Sequence, residues 1–111
     1  MIYNRTSNGT LFKCDSCNAI HLEFNNLNIN FSNASKYHEY ATFLHQLNAD
    51  EWISVNKDTP YQRKIMIPLG KGNINFMLHA GELEDLKRLC IRRLGSNQIR
   101  LQELKIDYSL N

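Results

Sequence analysis

At 111 residues, 42% apolar and 22% charged, the chain has the size and make-up of one globular domain rather than a disordered or fibrous protein, with room for a core that needs no disulfides. A net charge of +2 is too small for a surface that neutralises many phosphates, so nucleic acid is unsupported as a partner. No stretch approaches the ~20 apolar residues of a membrane span, Met1 to Gly9 has no apolar run of signal-peptide length, and three cysteines are an odd number for a disulfide framework, so the expected setting is the cytosol, with reduced thiols or metal ligands.

Thr10 to Lys13 is expected to add a strand to the hairpin that follows the Cys14-Asp15-Ser16-Cys17 turn. In that hairpin Ile20, Leu22 and Phe24 alternate with His21 and Glu23, Asn25-Asn26 makes the turn, and Leu27, Ile29 and Phe31 return, a period of two that buries one face. Ser32 or Asn33 then caps a helix whose Tyr37, Tyr40, Ala41, Leu44 and Leu47 recur at helical spacing. Asp50 to Asp58, with Trp52, Ile53 and Val55, is expected to link the two halves as a short strand, Trp52 anchoring in the core.

The second half repeats the plan. Ile65, Ile67 and Leu69 alternate with Lys64, Met66 and Pro68; Gly70-Lys71-Gly72 turns; Ile74, Phe76 and Leu78 return. Pro68 cannot donate a ladder hydrogen bond, which places it at a sheet edge or a strand end. Leu83, Leu86, Leu89, Cys90 and Leu94 then form a helical stripe, with Glu82, Glu84 and Asp85 in the first turn, Arg92 and Arg93 in the last, and Gly95 as the stop. Ile99, Leu101, Leu104 and Ile106 suit a short strand or helix.

Asn28-Ile29-Asn30-Phe31 recurs as Asn73-Ile74-Asn75-Phe76, 45 residues later, in the same place within each half. The expected fold is therefore α+β: a mainly antiparallel sheet with two helices on one face, built from two pseudo-symmetric ββα units. A single domain over 1–111 divides into a first unit at 10–49, a linker at 50–63, a second unit at 64–95 and a C-terminal extension at 96–111.

Cys14 and Cys17 carry the chemistry with a recognised mechanism, because two thiolates two residues apart in a strand turn can grip one face of a tetrahedral zinc. That is half a site, and His21, four residues on, is the nearest third donor; His79, Cys90 or a second copy of the chain are the alternatives. Silent thiols in a turn are the slightly more ordinary reading. A redox CxxC is less favoured, since such a motif opens a helix and this one leads into a strand. Cys90 reads as a small buried hydrophobe, His38 and His45 as surface residues, and Lys87, Arg88, Arg92, Arg93 and Arg100 as a solvated basic face. The face opposite the helices would present His21, Glu23, Asn28, Asn30, Lys64, Met66, Asn73, Asn75, Met77 and His79, free of the aromatic platforms that RNA binding wants.

With Phe12-Lys-Cys-Asp-Ser-Cys-Asn-Ala-Ile-His-Leu-Glu-Phe24 followed by Leu27-Asn-Ile-Asn-Phe31 and a helix, the chain resembles a family of short, uncharacterised Bacteroidetes proteins, a domain of unknown function with one CxxC ahead of a strand-strand-helix unit. The resemblance covers about residues 10–95 and implies a bacterial protein with a second strand-strand-helix segment, but no activity. The family pattern has a glycine in the first hairpin turn; Asn25-Asn26 departs mildly, since asparagine tolerates positive φ.

The expected function is a noncatalytic binding or regulatory domain that forms homo-oligomers, with a protein partner through its strand or polar-sheet surfaces. The alternative is a small zinc protein using Cys14, Cys17 and His21. An enzyme pairing His21 with Glu23 is disfavoured on the expectation that the two point to opposite faces and need a second chain.

Overall fold

A computed structural model of the chain describes residues 1–94. Its elements run β1 (Ile2–Thr6), β2 (Gly9–Lys13), β3 (Ile20–Phe24), β4 (Leu27–Phe31), α1 (Ala34–Gln46), α2 (Ala49–Val55), β5 (Ile65–Pro68), β6 (Asn75–Leu78) and α3 (Ala80–Leu89). The fold is α+β with antiparallel sheets, and a helix follows each of the expected hairpins, β3–β4 and β5–β6.

β1 to β4 form a sheet in chain order. Register sets its two faces: Leu11, Leu22 and Ile29 share one rung, and Lys13, Ile20 and Phe31 another, while Thr10, Glu23 and Asn28, then Phe12, His21 and Asn30, form the rungs between them. The apolar rungs face α1 and α3 in one core with Tyr37, Leu44, Leu83, Leu86 and Leu89. Asn25 turns the β3–β4 hairpin at φ 53, as an asparagine in a glycine position can.

β1 was not foreseen, and its composition explains why. The strand sequence Ile-Tyr-Asn-Arg-Thr lacks apolar alternation, because polar side chains take its helix-facing positions. Asn4 Nδ2 donates to the Arg88 and Leu89 carbonyls at 3.0 and 3.1 Å, and Thr6 Oγ1 donates to the buried Asp85 carboxylate at 2.9 Å. Asn8 and Arg88 also donate to Asp85, so that buried carboxylate has partners on both sides of the β1–α3 seam.

Three expectations are corrected. The sheet is not single: β5 and β6 pair only with each other, because α1 and α2 carry the chain across to another flank of α3, and the Phe24 and Phe76 rings meet edge-on at 6.1 Å between the two sheets. Asp50 to Val55 is helical, not a strand, since Asn48 Oδ1 accepts from the Asp50 and Glu51 N–H groups and both acids lie in the first turn, which outweighs the β-branched Ile53 and Val55. Trp52 still packs against the core, but from α2. Finally α3 ends at Leu89, short of Arg92, Arg93 and Leu94. There the Cys90 carbonyl accepts from His45 Nε2 at 2.8 Å and the Ile91 carbonyl from the Tyr37 hydroxyl, so α1 captures groups that a longer helix would use itself.

Gly95, Arg100 and the expected C-terminal element lie outside the described residues. Asn33 is the cap of α1, its side chain accepting from Lys36 N–H at 2.9 Å. Among the described residues no helix is long and apolar enough to cross a membrane.

Candidate functional site

Lys13 is the last residue of β2, and Cys14 N–H donates to the Ala19 carbonyl at 3.1 Å, closing the loop that carries the CxxC before β3 starts. Within it Cys14 is half-buried and Cys17, Asp15, Ser16 and Asn18 are exposed. Cys14 Sγ lies 3.6 Å from the Ser16 hydroxyl.

The two thiols are not equivalent. Cys14 is held down to about 6, chiefly by the Cys17 thiol bonding to its sulfur, then by the Ser16 hydroxyl and the Ser16 backbone N–H, and least by His21. Cys17 is raised, first by the same bond to Cys14, because it retains the proton that the Cys14 thiolate accepts. A backbone N–H at Ala19 and the Lys13 ammonium act the other way on Cys17. The turn thus favours the thiolate at Cys14 and the protonated thiol at Cys17.

His21 stands beside this turn on the outer face of β3. Its Nδ1 donates to Asn30 Oδ1 at 2.6 Å, and Asn30 Nδ2 donates to Asn28 Oδ1 at 2.9 Å, so the amide chain orients the ring through Nδ1. The ring also packs on Phe12, centroids 5.1 Å apart. Among the described residues no three His, Cys, Asp or Glu side chains are gathered closely enough to hold a metal ion. Cys14 and Cys17 share the turn and His21 acts weakly on the Cys14 thiol, but the described residues close no three-donor site.

The other sequence-derived residues are dispersed. Cys90 is buried in the core at the end of α3, where desolvation pushes its thiol up to about 12. His79 precedes α3, its backbone N–H donating to Glu82 Oε1 at 2.7 Å, while His38 meets Tyr37 and His45 is tied to Cys90. His21 and Glu23 share one face of β3 rather than opposite ones, so the expectation that they need a second chain is withdrawn, and His21 is engaged with Asn30 instead. The polar platform is split as well. His21, Glu23, Asn28 and Asn30 belong to the four-stranded sheet, whereas Met66, Asn75 and Met77 lie in the separate β5–β6 sheet. Phe12 was missed on the outer face because Leu11 and Phe12 are both apolar, and only the register tells which one turns inward.

An open cleft of about 470 Å³ at the α1–α2 corner is lined by His45, Asp50, Glu84 and Lys87 among others. Lys87 Nζ is bonded to the Leu47 carbonyl there and His45 Nε2 to that of Cys90.

No curated protein and no solved structure matches the chain. A family model does, over residues 1–111, and the chain belongs to that family, DUF6686, a family of unknown function.

Proposed function

We propose that this is a noncatalytic binding domain whose binding element is the Cys14–Cys17 turn and whose ligand is a thiophilic divalent ion, zinc first among them. The observation that carries it is the placement of Cys14 and Cys17 in one strand turn, with Cys14 Sγ 3.6 Å from the Ser16 hydroxyl and its thiol held down to about 6. Zinc takes tetrahedral thiolate and imidazole donors, and ligand thiols must be deprotonated to bind, a step already favoured at Cys14. His21, four residues after Cys17 and in the strand that follows the turn, is the nearest imidazole in the sequence. The same CxxC carries the resemblance to the Bacteroidetes proteins, and a reducing cytosol would keep both thiols open to metal. Elemental analysis of protein purified without added metal tests this: bound zinc that disappears in Cys14→Ser/Cys17→Ser supports it, and a content far below half an equivalent per chain, equal in both proteins, rejects it.

The unequal thiols favour one second reading, thiol–disulfide exchange. Cys14 thiolate would attack one sulfur of a partner disulfide and expel the other as thiolate; Cys17, giving up its proton, would then attack Cys14 sulfur, forming the Cys14–Cys17 disulfide and releasing the second thiolate. Against it stands the strand, not helix, that follows the turn. Oxidised glutathione distinguishes the two: rapid closure of an internal disulfide in the metal-free protein supports exchange, and stable mixed disulfides or no reaction remove it.

A further inference from the structure

Independently of the metal reading, we infer that the outer edge of β4 is a self-association surface: two copies of the chain pair β4 with β4, antiparallel about a two-fold axis at Ile29, and so join their four-stranded sheets into one.

The phase of the hydrogen-bond ladder is the first reason. Asn25 N–H donates to the Asn8 carbonyl at 2.7 Å and Cys14 N–H to the Ala19 carbonyl at 3.1 Å, which brackets the β2–β3 ladder and assigns the His21 and Glu23 main chains to β2. Ile20, Leu22 and Phe24 therefore bond toward β4, through Phe31, Ile29 and Leu27. That leaves the N–H and C=O groups of Asn28 and Asn30 pointing off the sheet, and among the described residues β4 is its last strand on that side. An antiparallel copy with Asn28 opposite the partner's Asn30, and Ile29 opposite the partner's Ile29, uses all of these groups and overlaps the strands over their full length.

The second reason is that this edge lacks the usual protection. Edge strands resist pairing with other chains through charge, proline or a bulge. β1, on the opposite side of the same sheet, carries Arg5 and a register shift between Ile2 and Asn4, and β5 ends on Pro68. β4 has none of these: Leu-Asn-Ile-Asn-Phe is uncharged, and its pairing with β3 runs without a shift. Two such strands meet without like-charge repulsion.

Cover is the third. In the rung Leu11–Leu22–Ile29 the first two residues are 0% exposed and Ile29 is only half-buried; Phe24 is likewise 0% exposed and its partner Leu27 half-buried. The inner face thins out at β4. It continues onto α1, where Phe31 packs on Tyr40 with centroids 5.4 Å apart, Tyr40 packs on Phe43 at 6.3 Å, and Phe43 is 42% exposed. A two-fold axis at Ile29 sets Leu27 against the partner's Phe31 and brings the two α1 helices side by side over the joint, covering Phe43 twice. This is the self-complementary contact of symmetric dimers.

The test is sedimentation velocity on the full, reduced chain in the presence of a chelator, over roughly three decades of concentration, with amide hydrogen exchange read by NMR at both ends of the range. Expected are a monomer on dilution, a dimer at high concentration, and Asn28 and Asn30 amides whose exchange slows roughly tenfold with dimerisation. Phe43→Ser and Asn28→Pro should each weaken the dimer by roughly tenfold with an unchanged circular dichroism spectrum, since one alters a surface side chain and the other removes an N–H that lies outside the β3–β4 ladder. If Asn28→Pro fails to fold, Phe43→Ser and the exchange rates decide. A monomer throughout, a dimer that Phe43→Ser leaves at full strength, or a dimer whose Asn28 and Asn30 amides exchange as fast as in the monomer overturns the β4 surface. With metal chelated, each of these results leaves the metal reading intact.

Discussion

Asn-Ile-Asn-Phe occurs in both hairpins, and the two copies have different surroundings. In β4 Phe31 is 7% exposed and Ile29 half-buried, whereas in the second copy Ile74 is 63% exposed, just ahead of β6, and Phe76 only half-buried. The asparagines are exposed in both. All four residues of the first copy lie in β4 but only Asn75 and Phe76 of the second lie in β6, with the phenylalanine on the inward side in each. How deeply that side is buried depends on the cover: β4 closes a four-stranded sheet beneath α1, while β5–β6 is a two-stranded ribbon against α2 and α3.

Truncating matched residues in the two copies is the sharpest way to break that comparison. Phe31→Ala should lower unfolding free energy by ~3–4 kcal/mol and Phe76→Ala by about half as much, with Ile74→Ala within ~0.5 kcal/mol of the parent. Equal losses for the two phenylalanines in urea titrations would mean that the sheets are covered alike. The close approach of the larger sheet to α3 predicts the next effect. A Cβ on Gly9 would lie 2.2 Å from the Glu23 carbonyl oxygen and 2.7 Å from Leu89 Cδ2, so Gly9→Ala should destabilise by ~2–3 kcal/mol. A neutral result would show that β2 can part from both β3 and α3.

Cysteine reactivity compares the same regions chemically. With Cys14 ionising at about 6, iodoacetamide at pH 7 should label it roughly tenfold faster than Cys17 in metal-free protein, with the rate levelling above the Cys14 transition. Cys90 should remain unlabelled until unfolding; peptide mass spectrometry reads all three. The smallest effect belongs to Glu82, partly exposed at the start of α3. Arg63 holds its carboxyl below the ordinary 4.5, helped by the His79 N–H, so its contribution to stability is complete above that range and is lost as pH falls through the depressed value. Glu82→Gln should flatten that part of the stability–pH curve; an unchanged acid limb would show that Arg63 does not act on it.

The parts of the fold legible in the sequence are those where side-chain period and cover coincide. Leu22, Phe24 and Phe31 fall on the inner face as their alternation requires, and the Leu83, Leu86 and Leu89 stripe is buried against them. β1 was hidden because Asn4 and Thr6 replace apolar residues and satisfy α3 through hydrogen bonds. α2 was hidden because Ile53 and Val55 suit a strand, while its deciding feature is a cap at Asn48. At the candidate site, the CxxC was visible as a motif. The difference between its thiols and the Asn28–Asn30–His21 chain depend on register and turn geometry that spacing does not encode.

Cobalt(II) titration of the reduced, metal-free chain tests the central claim most directly, because a tetrahedral thiolate site produces both sulfur-to-cobalt charge-transfer absorption and intense visible bands. The account predicts that both features rise together and saturate, give way to zinc, and are absent from Cys14→Ser/Cys17→Ser. A spectrum that stays that of the hydrated ion throughout would contradict it.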